Sequence, residues 1–215
     1  MPYRPTERTE ARRVAARGVI VDAATELVAH GGYREAQVAA VARRAGVATG
    51  TVYRHFPSKA DLLVEVFRRA ARREVDAVAS ATAGREDARD ALAEAVRTFA
   101  RRALRSRRLA WALLAEPVDP AVEAERLAFR RAYAAVFAAT IRDGIARGQL
   151  PAQDAGLTAT ALVGAVGEAL VDWVAPASPT TPARDAGALL QGLVTFCLRA
   201  TTDQEHDADV HHHAA

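Results

Sequence analysis

An all-α fold is predicted by three features of this 215-residue sequence. Apolar residues recur at helical spacings, the alternation typical of strands is scarce, and glycines fall between the periodic segments. Half of the residues are hydrophobic, which is enough to bury a core in one domain or two small ones. Helices are expected over about 9–30, 38–45, 49–55, 59–78, 87–105, 107–115, 120–146, 152–175 and 183–201.

Two helix starts carry their own signals. Ser58 and Asp61 have the three-residue spacing of a capping box, in which each residue satisfies a free N–H group of the other's backbone. Asp119 before Pro120 combines a good N-cap residue with proline at the first helical position. We therefore expect the fourth and seventh helices to begin at these points.

Charge is distributed unevenly along the chain. The net charge is +3, but residues 1–73 hold 14 Lys and Arg against seven Asp and Glu, while the remainder carries more acid than base. A basic N-terminal third indicates an anionic partner such as nucleic acid. The alternative is the uneven scatter that an arginine-rich composition produces by itself.

Several other classes of protein lack support in the sequence. The one cysteine, Cys197, excludes an intrachain disulfide framework and lies in an apolar run that favours a core residue over a nucleophile. The absence of HExxH, CxxC, P-loop and GxGxxG motifs predicts no catalytic residues, no cofactor and no metal. The basic N-terminus lacks the apolar region of a signal peptide. Glu168 and Asp172 interrupt the apolar stretch 157–175, which favours a core or interface helix over a membrane span.

Two short helices joined by a glycine turn suggest a helix-turn-helix over residues 38–55. A helix as short as 49–55 is unstable alone, so packing must hold it. Helical geometry places Val52 and Phe56 on one inner side, whereas Gly50, Thr51 and Arg54 point outward, where a DNA major groove would lie. Gly50 allows a close approach of the backbone, and Arg54 suits either a guanine edge or a phosphate.

The run GYREAQVAAVARRAGVATGTVYRHFPSKADLL, residues 32–63, closely resembles the DNA-binding domain of the TetR family, and the resemblance covers about residues 12–67. It implies a three-helix helix-turn-helix domain in which Tyr53, His55 and Lys59 contact the DNA backbone. Lys59, the only lysine, lies in the first turn of a helix, where a bound phosphate would offset its unfavourable interaction with the helix dipole. The alternative is that Tyr53 and His55 only close a small core and Lys59 is solvated.

The motif departs from the family pattern at two places. Ala36 and Gln37 stand where Thr or Ser is common, so Gln37 is expected to donate to a phosphate instead. Ala48 stands where Ser is common, which leaves Thr49 to cap the third helix. The candidate DNA-binding residues are Gln37, Thr49, Gly50, Thr51, Tyr53, Arg54, His55 and Lys59.

Arginines also precede or open the first helix. In related proteins such arms reach along the DNA backbone or into the minor groove, and Arg4 and Arg8 are the better candidates because we expect them to lie outside the helix. The alternative is a solvated tail. The arginines in question are Arg4, Arg8, Arg12, Arg13 and Arg17.

The region from about 87 to 201 resembles the family's regulatory domain by position and helix pattern. The resemblance implies an effector pocket between the middle helices. Phe129, Tyr133 and Phe137 share one helix face, a pattern found in cores and in ligand cages, and Glu168 either pairs with a cationic ligand or meets solvent. For a moderately large, partly apolar effector, the candidate ligand-binding residues are Phe99, Trp111, Phe129, Tyr133, Phe137 and Glu168.

The last two long helices are the predicted dimer interface, as the resemblance implies. Small residues on helix 152–175 would let another helix approach closely; they are Ala161, Gly164, Ala165 and Gly167. The final helix offers Leu189, Leu190, Leu193, Val194 and Phe196. A homodimer would hold two recognition helices about 34–36 Å apart on a palindromic site. The alternative is that these surfaces pack within one chain.

We therefore expect a cytoplasmic transcriptional regulator, most simply a repressor that binds double-stranded operator DNA as a homodimer and is released by an unknown small-molecule effector. An effector that prefers another spacing of the recognition helices must lower DNA affinity by the reciprocal factor. The expected organisation is a DNA-binding domain over 1–58, a connecting helix over 59–79 acting as the lever, a ligand-binding and dimerisation bundle over 80–202 and a flexible tail over 203–215. The alternatives are a constitutive or architectural DNA-binding protein without an effector, and an activator.

Overall fold

The computed structural model describes residues 7–176 and 185–202, and α-helix is the only regular secondary structure within those ranges. The predicted all-α fold is therefore confirmed. The proline-containing stretch between the predicted helices 152–175 and 183–201 falls largely outside the described residues, and the predicted tail over 203–215 lies wholly outside them. In chain order the helices are α1 (Glu7–Gly31), α2 (Val38–Ala45), α3 (Thr49–His55), α4 (Lys59–Thr82), α5 (Ala88–Arg105), α6 (Arg107–Leu114), α7 (Pro120–Ala146), α8 (Ala155–Val174) and α9 (Ala186–Thr202).

Helix boundaries follow the local capping signals. Ser58 and Asp61 form the reciprocal capping box: the Asp61 N–H donates to Ser58 Oγ at 3.1 Å and the Ser58 N–H to Asp61 Oδ2 at 3.0 Å. Asp119 accepts from the Ala121 N–H at 2.9 Å, and α7 begins at Pro120. Both predicted helix starts are thus confirmed.

The starts of α8 and α9 and the end of α4 each differ from the prediction by three residues or more. α8 begins at Ala155, three residues later than expected, because Asp154 caps it by accepting from the N–H groups of Gly156 and Leu157 at 2.9 and 3.0 Å. α4 continues to Thr82, four residues beyond the predicted end and into the small, polar stretch of sequence before α5. Small, polar composition did not interrupt this helix.

The chain divides into two compact units that are discontinuous in sequence. Of the described residues, the first unit comprises 7–72 and 106–127, and the second comprises 73–105, 128–176 and 185–202. α6 and the start of α7 therefore belong with the N-terminal helices. The assignment of functions to 1–58, 59–79 and 80–202 remains a prediction.

In the first unit, α1 packs against α2 and α6, and α2 packs against α3. Burying these apolar faces is the main stabilising term, because each helix is too short or too polar to persist alone. The interior includes Ile20, Val28, Val41, Val52, Phe56, Leu62 and Phe67.

In the second unit, α5 packs against both α8 and α9, which also contact each other. Cys197 of α9 is only 1% exposed, and burial raises the pKa of its thiol to about 11. The thiol therefore stays protonated at neutral pH, as expected of a core cysteine. The interior includes Leu92, Val96, Phe99, Tyr133, Ile141, Leu162, Val166, Leu170 and Val194.

Candidate DNA-binding surface and regulatory core

α2 forms the first half of the helix-turn-helix. It buries Val41 in the first unit and ends at Gly46, whose φ of +67° is the left-handed conformation that favours glycine. Gln37 occupies the N-cap position with extended backbone, but its side chain does not cap the helix. Its Nε2 donates to the Arg34 carbonyl oxygen at 2.9 Å, so the exposed Gln37 amide is held at the entrance to α2.

α3 buries one side and exposes the other. Val52 is 1% exposed and Phe56, just past the helix end, is 2% exposed, which confirms the predicted inner side. On the outer side Gly50 and Arg54 are exposed, and Arg54 Nη2 donates to Thr51 Oγ1 at 3.3 Å. α3 is thus held in place by its buried inner side, while its outer side remains accessible.

The start of α3 differs from the expectation. Ala48 is the N-cap residue, and no side chain caps the helix. Thr49 does not replace the missing cap because it is the first helical residue, one position too late for its hydroxyl to act as the N-cap acceptor. Thr49 is exposed instead, beside the outward-facing Gly50.

Three more candidates flank this outer side. Tyr53 is 49% exposed. His55 is half-buried at the end of α3, and Lys59 is half-buried at the first position of α4. The capping box fixes the start of α4, so the position of Lys59 is defined by local structure.

α1 supports the recognition helix from behind. The Arg17 guanidinium carbon lies 4.7 Å from the centre of the Phe56 ring, a cation–π distance, and Arg17 Nη2 lies 3.0 Å from Glu65 Oε2. The hydrogen bond from Arg17 lowers the pKa of Glu65, and burial opposes that shift. Arg17 therefore joins α1, the end of α3 and α4.

His55 lies in a field of positive charge. Burial lowers its pKa first, and the charges of Arg13, Arg54 and Arg17 lower it further. The imidazole is thus largely neutral at pH 7, and its surroundings favour an anion more than an additional proton. Such a cluster suits a DNA phosphate.

The arginines near the start of α1 are only partly as expected. α1 begins at Glu7, so Arg8 is helical rather than part of an extended arm. Arg8, Arg12 and Arg13 are exposed, whereas Arg4 lies outside the described residues. A role in the minor groove for Arg8 would require this first turn of α1 to unwind.

A polar contact that the sequence did not reveal fixes the turn after α1. Arg108 Nη2 of α6 donates to the Gly31 carbonyl oxygen at 2.7 Å and pairs with Glu116 Oε1 at 2.8 Å. The Tyr33 N–H lies 3.4 Å from Glu116 Oε2. Gly32 has a φ of +82°, and a Cβ there would collide with the Arg108 guanidinium. The turn leading into α2 is therefore built around Arg108.

Arg126 is the buried centre of the neighbouring loop and is 6% exposed. Its Nε donates to the Leu113 carbonyl oxygen at 3.0 Å, and its Nη2 donates to those of Ala112 and Glu116 at 3.1 and 2.7 Å. Its Nη1 pairs with Glu123. These bonds satisfy the carbonyl groups at the end of α6, which have no helical partners.

The second unit contains an aromatic cluster. The Tyr133 ring lies edge-to-face with Phe99 and Phe129, at centroid distances of 4.7 and 4.8 Å. Phe137, one turn further along α7, is 2% exposed. Four of the six ligand-binding candidates are therefore buried in the second unit, with three of them in direct contact.

Beside this cluster lies an ion pair between α4 and α5. Arg102 Nε and Nη2 donate to the two carboxylate oxygens of Glu74 at 2.5 and 2.8 Å. The two-bond geometry accounts for the raised pKa of Arg102, whose largest cause is the hydrogen bond to Glu74. The positive charge of Arg102 is thus already matched.

The other two candidates lie apart from the cluster. Trp111 is a half-buried residue of α6 and belongs to the first unit. Glu168 is exposed on α8, which agrees with the solvent-facing alternative. Among the described residues, no group of three or more His, Cys, Asp or Glu is arranged to hold a metal ion.

α8 and α9 leave an apolar face uncovered. Judged by length and composition alone, α8 is long and apolar enough to span a membrane, and only 28% of that segment is buried. Leu157 on α8 and Phe196 on α9 are 69% and 49% exposed. A Cβ at Gly164 or Gly192 would meet nothing within 4 Å, so backbone is accessible on both helices. An exposed apolar face of this kind marks an interaction surface.

Two family descriptions match this chain. Residues 20–66 match the family described as bacterial regulatory proteins, tetR family, and residues 85–194 match the tetracyclin repressor-like C-terminal domain. The second match alone covers about half of the chain. Between them the two matches include α2, α3, α5, α6, α7 and α8 in whole and α1, α4 and α9 in part.

Two relatives each match a short stretch of this chain. The fatty acid metabolism regulator protein of Bacillus subtilis is 47% identical over 49 residues, which is 23% of this chain and 25% of that protein. The transcriptional repressor KstR of Rhodococcus jostii is 54% identical over 50 residues, 23% of this chain and 24% of the repressor. This chain thus aligns with about a quarter of the length of each of these relatives.

Likeness in three dimensions extends over most of the chain. The structure of the regulator FadR from Bacillus subtilis in complex with stearoyl-CoA has a TM-score of 0.71 and 22% identity, covering 85% of this chain and 98% of that one. At that identity the likeness establishes the fold alone.

Proposed function

Since this chain belongs to the TetR family of transcriptional regulators, we propose that it is a repressor that binds a palindromic operator as a homodimer and is released by a small-molecule effector. The proposal rests chiefly on α3, whose outer side is exposed while Val52 on its inner side and Phe56 just past its end are buried in the first unit. A recognition helix held in this way can enter a major groove without losing its packing.

Base recognition and backbone contact are assigned to different residues. Gly50, Thr51 and Arg54 face outward and are placed to approach base edges. The flanking residues Tyr53 and His55 are placed to contact phosphates, which position the protein without reading sequence. The remaining proposed contacts are made by Gln37, Thr49 and Lys59.

The apolar face of α8 and α9 is the proposed dimer interface. A second copy of the chain is the occupant that best explains a helix with a largely uncovered apolar face whose exposed positions include small residues such as Ala161 and Gly164. A twofold axis there would bring α8 and α9 of both protomers together as four helices. Pairing also supplies the second recognition helix that a palindrome requires.

The effector is proposed to bind in the second unit at the aromatic cluster of Phe99, Phe129 and Tyr133. An acyl-CoA is the first candidate, because a FadR protein with the same fold forms a complex with stearoyl-CoA. An apolar tail would gain from leaving water among these rings. Because linkage is reciprocal, an effector that binds the operator-free form more tightly weakens operator binding by the same factor.

The experiment that tests the proposal is fluorescence anisotropy with the DNA that flanks the protein's own gene, across a salt series and with random duplex as competitor. We expect specific binding by two protomers per site. Arg54→Ala and Tyr53→Ala should each weaken it about tenfold or more, whereas Arg130→Ala, an exposed arginine of the second unit, should not. Lys59→Ala should lower the salt slope by about one.

Each component of the proposal can fail separately. Equal affinity for random duplex would contradict a sequence-specific regulator. Specific binding that no acyl-CoA weakens would favour the constitutive alternative. A reporter gene placed behind the operator distinguishes repression from activation, because deleting the protein should raise expression only in the first case.

A further inference from the structure

Two tyrosine hydroxyls among the described residues are buried without a hydrogen-bond partner. Tyr133 is 2% exposed and Tyr33 is 5% exposed, and neither hydroxyl oxygen contacts a donor or acceptor. A buried polar group without a partner is costly, so such a group calls for an explanation. The two tyrosines lie in different units, which makes each a natural reference for the other.

The surroundings of the two hydroxyls differ. Tyr33 lies near the charges of Arg126, Glu116 and Glu123, in the network that fixes the loops of the first unit. Tyr133 lies at the centre of the aromatic cluster, with rings of Phe99 and Phe129 against its own. Tyr133 is therefore the one whose ring packs against groups that suit an apolar ligand, while its hydroxyl lies near the charges of Glu74 and Arg102.

The charged neighbours of Tyr133 limit what it can bind. Burial raises the pKa of Tyr133, Glu74 raises it further and Arg102 partly offsets the rise. The phenol is thus a neutral donor at physiological pH. Arg102 is engaged by both oxygens of Glu74, so the site holds no unmatched positive charge from this pair.

Building on the proposed effector site, we infer that the Tyr133 hydroxyl donates a hydrogen bond to the uncharged carbonyl oxygen of an acyl effector, such as that of a thioester, whose apolar chain packs against Phe99 and Phe129. A free carboxylate would bring a negative charge beside Glu74 without an available cation, and burying such a charge is far more costly than burying a carbonyl. The effector class is therefore an acyl thioester or ester rather than a free fatty acid.

Binding of such an effector satisfies a hydroxyl group that has no hydrogen-bond partner in the free protein. The free protein carries an unsatisfied hydroxyl, and the carbonyl supplies its acceptor, so the interaction exists only in the bound state. Removal of the hydroxyl should consequently have opposite effects on the two states. The protein without effector becomes more stable, whereas effector affinity falls.

The test compares wild-type protein, Tyr133→Phe and the matched variant Tyr33→Phe, all as the full-length chain. Three probes are titrated by calorimetry: stearoyl-CoA, its thioether analogue S-octadecyl-CoA, which lacks the carbonyl oxygen, and sodium stearate. Wild type should bind stearoyl-CoA about three- to tenfold more tightly than the thioether and should bind stearate most weakly. Tyr133→Phe should lose this preference between thioester and thioether, and its Tm without ligand should rise by a few degrees.

Tyr33→Phe should raise the Tm in the same direction while keeping the wild-type preference. A preference unchanged in Tyr133→Phe would overturn the inference, as would a fall in its Tm without ligand, because that would mean the hydroxyl is already satisfied. Stearate as the tightest ligand would overturn the choice of an uncharged carbonyl.

Failure of the inference is distinguishable from failure of the proposed function. If wild type binds the thioester and the thioether equally, the acyl effector stands and the role of Tyr133 falls. If wild type binds none of the three probes, the acyl effector and this inference both fall. Operator binding, measured on the same sample, is unaffected by that result.

Discussion

The two units of this protein differ in how their interiors are built. In the first, the guanidinium groups of Arg108 and Arg126 are bonded to backbone carbonyl oxygens and fix the loops around the helix-turn-helix. In the second, aromatic rings pack against Tyr133. Each interior leaves a tyrosine hydroxyl without a partner, that of Tyr33 in the first unit and that of Tyr133 in the second, so the difference lies in what surrounds the tyrosine. A frame of polar contacts suits a partner of fixed geometry such as duplex DNA, whereas a cluster of rings suits an apolar ligand.

The likeness to known proteins differs with its extent. The identities of 47% and 54% each extend over about 50 residues, whereas the likeness over most of the fold has 22% identity. Helical packing can be satisfied by many different sequences, so the same fold persists at that low identity.

The largest effect is expected from Arg126→Met, which removes the centre of the first unit's polar network. Three carbonyl oxygens and the Glu123 carboxylate lose their partner in a site where Arg126 is 6% exposed. The free energy of unfolding should fall by about 3–5 kcal/mol, measured by urea denaturation. The control Arg130→Met, on an exposed position of α7, should change it by less than about 0.5 kcal/mol. A loss within that limit for Arg126→Met would contradict the interpretation of these polar contacts as a frame.

A comparable effect on assembly is expected from Gly164→Arg in the second unit. A Cβ at this exposed position meets nothing within 4 Å, so the protomer should stay folded, but the arginine would occupy the proposed dimer interface. The dimer dissociation constant should rise about 100-fold, equivalent to about 2.7 kcal/mol, as followed by sedimentation velocity. Ala135→Arg, at an exposed position of α7, is the matched control and should leave the dimer intact. Dimers that persist in Gly164→Arg would place the interface elsewhere.

A smaller effect on stability is expected from alanine substitutions at two glycines of the first unit, both of which have left-handed backbone conformations. Gly32 and Gly46 have φ values of +82° and +67°, but only Gly32 has the Arg108 guanidinium where a Cβ would lie. Gly46→Ala should cost about 1 kcal/mol of unfolding free energy from backbone strain alone. Gly32→Ala should cost about 1 kcal/mol more, because Arg108 must give up the Gly31 carbonyl oxygen. Equal costs for the two variants would show that Arg108 moves aside freely.

Which features could be predicted from the sequence depends on how far apart along the chain the interacting residues lie. The bounds of α3, the capping box of Ser58 and Asp61 and the buried side of α3 follow from signals within a few residues, and the structure confirms them. The predicted end of α4 at residue 78 is wrong, because the helix continues to Thr82 through a small, polar stretch. Alanine, which dominates the last turns of α4, is the strongest helix former and was the better guide.

Contacts between distant residues had no local signal. Arg108 and Gly31 are 77 positions apart, and one arginine among many gave no reason to single it out. The same limit explains Trp111, which the sequence groups with the aromatic residues of the regulatory bundle because it lies between Phe99 and Phe129. α6 instead packs with the N-terminal helices, so Trp111 belongs to the first unit.

The smallest effect concerns the pH dependence of operator binding. Burial and the charges of Arg13, Arg54 and Arg17 lower the pKa of His55 in the free protein, and a DNA phosphate at that position would raise it again. Operator binding then takes up a proton, so affinity rises as pH falls through the pKa of the bound form and is flat above it. We expect a few-fold tightening between pH 8 and pH 6, measured by anisotropy at constant ionic strength. His55→Gln keeps a hydrogen-bond donor but cannot titrate, and it should flatten the profile. A slope that survives in His55→Gln would assign the proton to another group, and the phosphate contact of His55 would lose its support.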